Sequence, residues 1–218
     1  MNLKSIAVVV AFIAAGTGLI AQQARPLSPV GTASAHVLGR WVKGETTAFT
    51  MGGERYLDGK WIDLTYGRPL LRGREAFGGT GAEYGKATYA GAPVWRAGAN
   101  LSTRIKSEVP LAIGGKVMPA GEYSVFIELN RPTEWTFIVA DWAVAPRINA
   151  NIPGALFGAF DYTPEKDVLR TTMKVDTLPF AVDQLTWTFL DMTNDGGRVA
   201  IMWGKTMAST PFKASRSR

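Results

Sequence analysis

Four planar donors lie close to glycine-rich turns in this chain: Arg68, Arg74, Arg96 and Asn100, flanked by Tyr66, Trp95 and Tyr123. Arginine presents a rigid fork of N–H groups matched to carboxylate or phosphate, asparagine adds a neutral donor and acceptor, and the aromatics supply a flat apolar wall. Together the seven residues predict a ligand-binding site for a small polar or anionic molecule, a sugar-like one included. The competing reading is structural. All three arginines sit beside turn residues, where a guanidinium group can bond loop carbonyls and cross-strand carboxylates and so tie the Arg-Pro and Trp-Arg corners to the fold. Position alone favours this second reading.

Other chemistries are more constrained. With one histidine, His36, and no cysteine, the usual zinc sites, thiol nucleophiles and disulfide frameworks are excluded, and no metal ligand set is assigned. Asp191, Thr193, Asp195 and Gly196 occupy the first, third, fifth and sixth places of a calcium loop, but the twelfth is Met202 where a bidentate glutamate is needed. A hairpin turn explains that run better. A Ser-His-Asp set would have to use His36, and no Gly-x-Ser-x-Gly elbow points to a serine. His36 instead reads as a surface or hydrogen-bonded strand residue.

Paired carboxylates, as in glycoside hydrolysis, remain open. Asp63, Asp161 and Asp191 each lie on or beside a strand, and the chemistry would require two of them about 5 to 9 Å apart. No phosphate-cradling loop or dinucleotide fingerprint is present, since Gly78-Gly-Thr-Gly81 lacks the strand and helix around it. No catalytic residue and no cofactor is assigned, and the sequence leans away from an enzyme. Of the seven tryptophans, Trp135, Trp187 and Trp203 fall in period with apolar strand residues and are expected in the core. Trp41, Trp61, Trp95 and Trp142 fall near strand edges or loops, where sugar stacking is conceivable but core packing is the expected role.

The elements that must position these residues are strands. Ile62, Leu64 and Tyr66 alternate with Trp61, Asp63 and Thr65; Tyr123, Val125, Ile127 and Leu129 alternate with Glu122, Ser124 and Glu128; and Trp135, Phe137 and Val139 follow. This period of two indicates half-buried strands. Leu169 to Val175, Leu185 to Leu190, and Val199 to Trp203 read the same way. The run Asp191 to Gly197 predicts a hairpin between the last two, and Asn130-Arg-Pro-Thr133 predicts another. Gly114-Gly115 and Pro119-Ala-Gly121 mark further turns. Helix is expected only as a turn or two, near Gly73 to Phe77 or Pro164 to Asp167. Many short strands punctuated by 24 glycines and 12 prolines predict an all-β fold, a single antiparallel β-sandwich of jelly-roll type. Gly78 to Pro93 and Asp141 to Pro153 resist assignment and are where the rim of a site is expected.

At the N-terminus one lysine, Lys4, precedes an apolar run from Ile6 to Ala15 and small residues to Ala21. This predicts a signal peptide over 1–21, too short to span a bilayer and cleaved near Gln22, leaving no transmembrane anchor in the mature chain. The expected division continues with an extended leader at 22–32, the sandwich at 33–212 and a basic, disordered tail at 213–218. An exported chain whose net charge of +6 is diffuse is not expected to bind nucleic acid.

Several runs carry a resemblance: Ser28-Pro29 with Thr32-Ala-Ser34; Tyr66-Gly-Arg68-Pro69 with Gly73-Arg74 and Phe77-Gly78; Val94-Trp95-Arg96-Ala-Gly98-Ala99-Asn100; Pro119-Ala-Gly121-Glu-Tyr123-Ser; and Tyr162-Thr-Pro-Glu-Lys-Asp167. Over roughly Ser28 to Phe212 the chain resembles the bacterial domain of unknown function 2911, a family of exported proteins. The resemblance implies periplasmic or extracellular placement and carries no activity. The chain departs from shorter members in an added loop around Gly39 to Gly53 and in the stretch from Phe77 to Pro93. Three function classes therefore stand: a module binding a small polar or anionic ligand, a carboxylate-dependent hydrolase, and a structural or protein-interaction component of the envelope.

Overall fold

The computed structural model describes residues 26–44 and 53–216. The expected signal segment and the first residues of the leader lie outside the described residues. The strands are β1 (Val30–Val37), β2 (Arg40–Lys43), β3 (Glu54–Leu57), β4 (Lys60–Gly67), β5 (Thr103–Ser107), β6 (Leu111–Ile113) and β7 (Lys116–Met118). They continue with β8 (Gly121–Arg131), β9 (Glu134–Ala140), β10 (Ala143–Val144), β11 (Ala155–Leu156), β12 (Asp167–Leu190) and β13 (Gly196–Ala214). Nine of them form one antiparallel sheet in the order β1-β4-β5-β8-β9-β12-β13-β6-β7, while β2 pairs with β3 and β10 with β11. The chain is all-β, as its alternation predicts. No helix among the described residues is long and apolar enough to cross a membrane.

One sheet becomes two layers because its longest hairpin is bent double. Arg198 Nη1 donates to Ser209 Oγ at 3.0 Å and Ala214 N to Asp195 O at 2.7 Å, so the two halves of β13 lie against each other. An extended strand rises ~3.3 Å per residue and could not bring such positions together. The corner is Gly204, at φ +61, opposite Val182 of β12. The ladder slips on both sides of Val182, and such bulges bend a strand. The two segments Leu169 to Val175 and Leu185 to Leu190 are thus one strand with a corner in it, not two.

The core enclosed by this fold is aromatic. Phe77 packs edge-on against Trp95, Trp135 and Trp203 at 5.5, 4.6 and 5.8 Å between ring centroids, and Trp95 stacks parallel to Trp203 at 6.3 Å. Trp135, Trp187 and Trp203 are buried as expected. Trp142 is buried too, with its indole N–H on Thr163 O at 3.2 Å.

Strands β8 and β9 are covered on both faces, which simple alternation did not predict. Phe126 and Ile138 point away from the main core into a second cluster with Val94, Trp142, Leu156 and Tyr162. The two unassigned stretches supply part of that cover. The first contains a 3-10 turn at Gly81–Glu83 and an α-helical turn at Lys86–Tyr89; the second contains β10. Helix at Gly73 to Phe77 does not form, whereas Pro164–Lys166 is a 3-10 turn.

Two boundaries are corrected. Strand β1 begins at Val30, inside the expected leader, because Val30 to Thr32 pair with Gly67 to Thr65. The expected disordered tail is ordered at its start: Lys213 and Ala214 pair with Ala112 and Leu111, and the Arg216 guanidinium donates to Leu38 O.

The cover over β9 is held by a compact ionic cluster. Arg170 Nη1 lies 2.8 Å from Asp167 Oδ2, its Nη2 meets Glu128, and the Tyr162 hydroxyl donates to Asp167 Oδ1 at 2.7 Å. Burial, then Asp167, push the Tyr162 hydroxyl far above the usual tyrosine range, so it remains a donor. Arg170→Ala is expected to lower stability by about 2 kcal/mol, read as a drop in urea midpoint. It leaves the Asp167 carboxylate, which is only 8% exposed, with the Tyr162 hydroxyl but without its counter-charge, although the third-exposed Arg170 itself is partly screened by water.

Candidate functional site

The family-like corner motifs are explained by backbone crossing. Gly67 and Gly98 lie where two chain segments touch, and Ala99 N donates to Gly67 O at 3.3 Å. Ala97 O accepts from Trp187 Nε1 at 2.9 Å and from Thr103 Oγ1 at 2.9 Å. Asn100, at φ +64, donates from Nδ2 to Ser28 O at 3.0 Å, and Arg68 N donates to Pro29 O at 2.9 Å. Three sequence-distant motifs are therefore one structural knot.

The seven expected site residues do not converge. Trp95, 1% exposed, is core and offers no wall to a ligand. Arg74 is spent on its own turn, with Nε on Leu71 O at 3.0 Å and Nη2 on Leu70 O at 2.7 Å. Arg96 donates from Nη1 to Asn100 O at 2.8 Å and lies 5.7 Å from the centre of the Phe160 ring. Burial lowers its pKa from the usual arginine value. Tyr123 stands on β8, where burial, then Asp141, raise its hydroxyl pKa. Tyr66 is buried and donates to Trp187 O at 3.2 Å.

Arg68 is different. Its bonds are long, with Nε to Leu185 O at 3.4 Å and Nη2 to Thr186 Oγ1 at 3.5 Å, and it makes no ion pair among the described residues. To reach β12 its side chain crosses β1 at Gly31, where a methyl group would meet Arg68 Cδ at 2.2 Å. Close approach to the glycine is what lets the guanidinium lie in the seam between β1 and β12.

That seam is a cleft of about 520 Å³. Leu70 bridges to Gln184, with Leu71 N on Asp183 O and Leu185 N on Pro69 O, closing one end. Beyond this bridge β1 pairs only with β4, and Thr186 to Phe189 pair only with β13, so two strand edges face each other without a ladder. Thr32, Ser34, Thr186 and Thr188 bring hydroxyls to the cleft, and His36 and Arg68 bring the nitrogen groups. Among the described residues no carboxylate lines it.

A second cleft of about 410 Å³ lies over β4 and β5, lined by Tyr66, Asn100, Leu101, Arg104, Glu122 and Val144 among others. Tyr66 alone of the seven touches both clefts, Arg68 only the first and Asn100 only the second. The stretch after Asp141 does contribute a rim here, through Ala143 and Val144.

None of the three candidate carboxylates lines either cleft, although Asp63 bonds a residue that lines the first. Asp63 accepts from Ser34 Oγ at 2.6 Å, Asp191 pairs with Arg198 at 2.7 Å, and Asp161 is exposed at φ +63. Among the described residues no three His, Cys, Asp or Glu side chains gather where they could hold a metal ion.

Sequence reasoning underrated two tryptophans. Trp41 and Trp61, expected in the core, are 68% and 47% exposed. Their neighbours are Tyr56 and His36, and the signals that mark them are the lack of apolar alternation in the short β2, which carries Trp41, and the place of Trp61 in the polar phase of β4, out of step with Ile62 and Leu64. These rings adjoin the seam cleft through His36 and Met192, which line both it and a further cleft of about 390 Å³.

No curated protein and no solved structure matches the chain. The family described as a protein of unknown function, DUF2911, matches residues 51–212, which begins after β1 and β2 and takes in every corner motif except Ser28-Pro29 and Thr32-Ala-Ser34. With most of its length so matched, the chain belongs to the DUF2911 family.

Proposed function

We propose that this protein is a binding module for a small anionic, hydroxyl-recognised ligand, held in the seam between β1 and β12 with Arg68 as the anchor. One observation carries the reading: among the described residues the only charged side chain lining the cleft is a guanidinium with long, weak protein bonds, and none of their carboxylates lines the same walls. A charged fork in that setting gains most from an incoming carboxylate or phosphate, which makes two short charge-assisted bonds. The Thr32 hydroxyl, without a partner among the described residues, and the Thr188 hydroxyl, bonded only at 3.5 Å to Phe189 O, then address neutral oxygens of the same ligand. The signal segment expected from the sequence would place this site outside the cytoplasm.

The test is a thermal-shift screen of the protein with phosphate, sulfate and small mono- and dicarboxylates, followed by calorimetry. A ligand at 100 times its dissociation constant adds about 2.7 kcal/mol of stability. Arg68→Ala is expected to weaken binding by about 10- to 100-fold, in line with 1.5–3 kcal/mol for a hydrogen bond to a charged group. Arg74→Ala, whose bonds stay within its own turn, should bind as the wild type does. Unchanged affinity in Arg68→Ala, or no anion raising the melting temperature, would overturn the proposal.

A further inference from the structure

The exposed aromatics outside the seam form a continuous strip. Trp41 lies 5.1 Å from Tyr56 between ring centroids, Tyr56 lies 5.0 Å edge-on from His36, and His36 stacks on Trp61 at 4.2 Å with 9° between planes. Register explains the order. His36 and Trp61 are cross-strand partners on β1 and β4, and Trp41 and Tyr56 are partners on β2 and β3. Both ends of the strip are open to solvent, since Trp41 and Trp61 are its most exposed members.

The strip is also held rigidly. The Tyr56 hydroxyl accepts from Gly39 N at 2.7 Å and donates to Asn194 Oδ1, and Leu38 N donates to Asn194 O at 2.6 Å. The β2–β3 hairpin is thereby fastened to the β12–β13 turn. The exposed Asn194 accepts through Oδ1, and neither its Nδ2 group nor the His36 ring nitrogens have a hydrogen-bond partner among the described residues.

We propose that this strip is a carbohydrate-binding platform that takes a neutral pyranose chain. The C–H face of a pyranose is flat and apolar while its rim carries hydroxyls, so it needs flat exposed rings bordered by fixed donors and acceptors. Trp41 and Trp61 supply the rings, and His36 and Asn194 supply the border. A protein partner fits less well. Stable protein interfaces bury ~800 Å² on each side, and among the described residues Met192 is the only other large exposed apolar side chain lining the cleft beside the strip. The proposal does not rest on the anion reading of the neighbouring cleft: His36 lines both, but the rings of Trp41, Tyr56 and Trp61 do not line the seam.

The experiment is a titration of tryptophan fluorescence with cellohexaose, chitohexaose, xylohexaose and mannohexaose, with the anions of the previous test as a separate series. At least one hexaose should shift the emission. Trp41→Ala and Trp61→Ala should each weaken that binding at least tenfold while melting as the wild type does, since both rings are on the surface. Arg68→Ala should leave the hexaose titration unchanged, so the two sites fail separately. No binding tighter than about 1 mM by any of the four hexaoses, or equal affinity in both tryptophan variants, would overturn the proposal. So would concentration-dependent dimerisation abolished by Trp41→Ala, which would make the strip an interface between copies of this chain.

Discussion

Replacing Trp95 by alanine is expected to cost about 3–5 kcal/mol of folding stability, the range for removing a fully buried large aromatic. Trp95 is 1% exposed and sits among Phe77, Trp135 and Trp203, where three other rings define the centre of the core. Its backbone is engaged as well, exchanging both hydrogen bonds with Ile127 at 2.9 Å. The substitution leaves those bonds in place and opens a cavity that rigid neighbouring indoles cannot fill. Chemical denaturation would read the loss as a lower midpoint at an unchanged slope. A loss below about 1 kcal/mol would mean that the ring is not packed as described and would return Trp95 to the candidates for ligand contact.

Gly67→Ala should be nearly as damaging, by about 3 kcal/mol, for an unrelated reason. A methyl group there would meet Ala99 O at 1.9 Å and Ala99 C at 2.7 Å, which are backbone atoms and cannot rotate away. Relief requires the Tyr66-Gly67-Arg68-Pro69 segment to part from the Ala97 to Asn100 corner. That movement strains the Trp187 and Ser28 hydrogen bonds and shifts Arg68 out of the seam. Overpacking of this kind costs about 1–3 kcal/mol where side chains can adjust, and here the obstacle is main chain. Gly44→Ala, whose new methyl would find its nearest neighbours at 3.7 Å, should change stability by less than about 0.5 kcal/mol. Equal melting temperatures for the two variants would sink the account of the corner motifs as a backbone crossing.

The motif residues show why chemistry-bearing side chains are poor guides to a site without their neighbours. Arg74 and Arg96 direct their forks to backbone carbonyls, Leu70 O, Leu71 O and Asn100 O. Carbonyls are present at every position and leave no mark in a sequence, so a guanidinium satisfied by them looks the same as one awaiting a ligand. Arg68 carries the same chemical group, but only its placement opposite an unpaired strand edge gives it the geometry of an anchor. The tryptophans divide on the same ground. Trp61 and Trp95 both stand near a strand edge, yet Trp95 faces the interior of a folded-over sheet and Trp61 faces solvent beside His36.

Strands and hairpins were legible because their causes are local. Alternation over five to seven residues defines a face, and Asn194-Asp-Gly-Gly197 or Asn130-Arg131-Pro132-Thr133 defines a reversal. The all-β class, the pairing of β8 with β9 and of β12 with β13, and the short 3-10 turn at Pro164–Lys166 follow from such runs. What required the tertiary structure is everything that depends on which surfaces meet. The corner at Gly204 folds one sheet into two layers, the cover over Phe126 and Ile138 buries both faces of β8 and β9, and the seam joins β1 to a β12 edge some 150 residues later in the chain. Burial is a property of the space between elements, and no run of neighbouring residues encodes it. A sequence therefore specifies the faces it can bury, while the long-range packing decides which edges stay open and which rings remain in water.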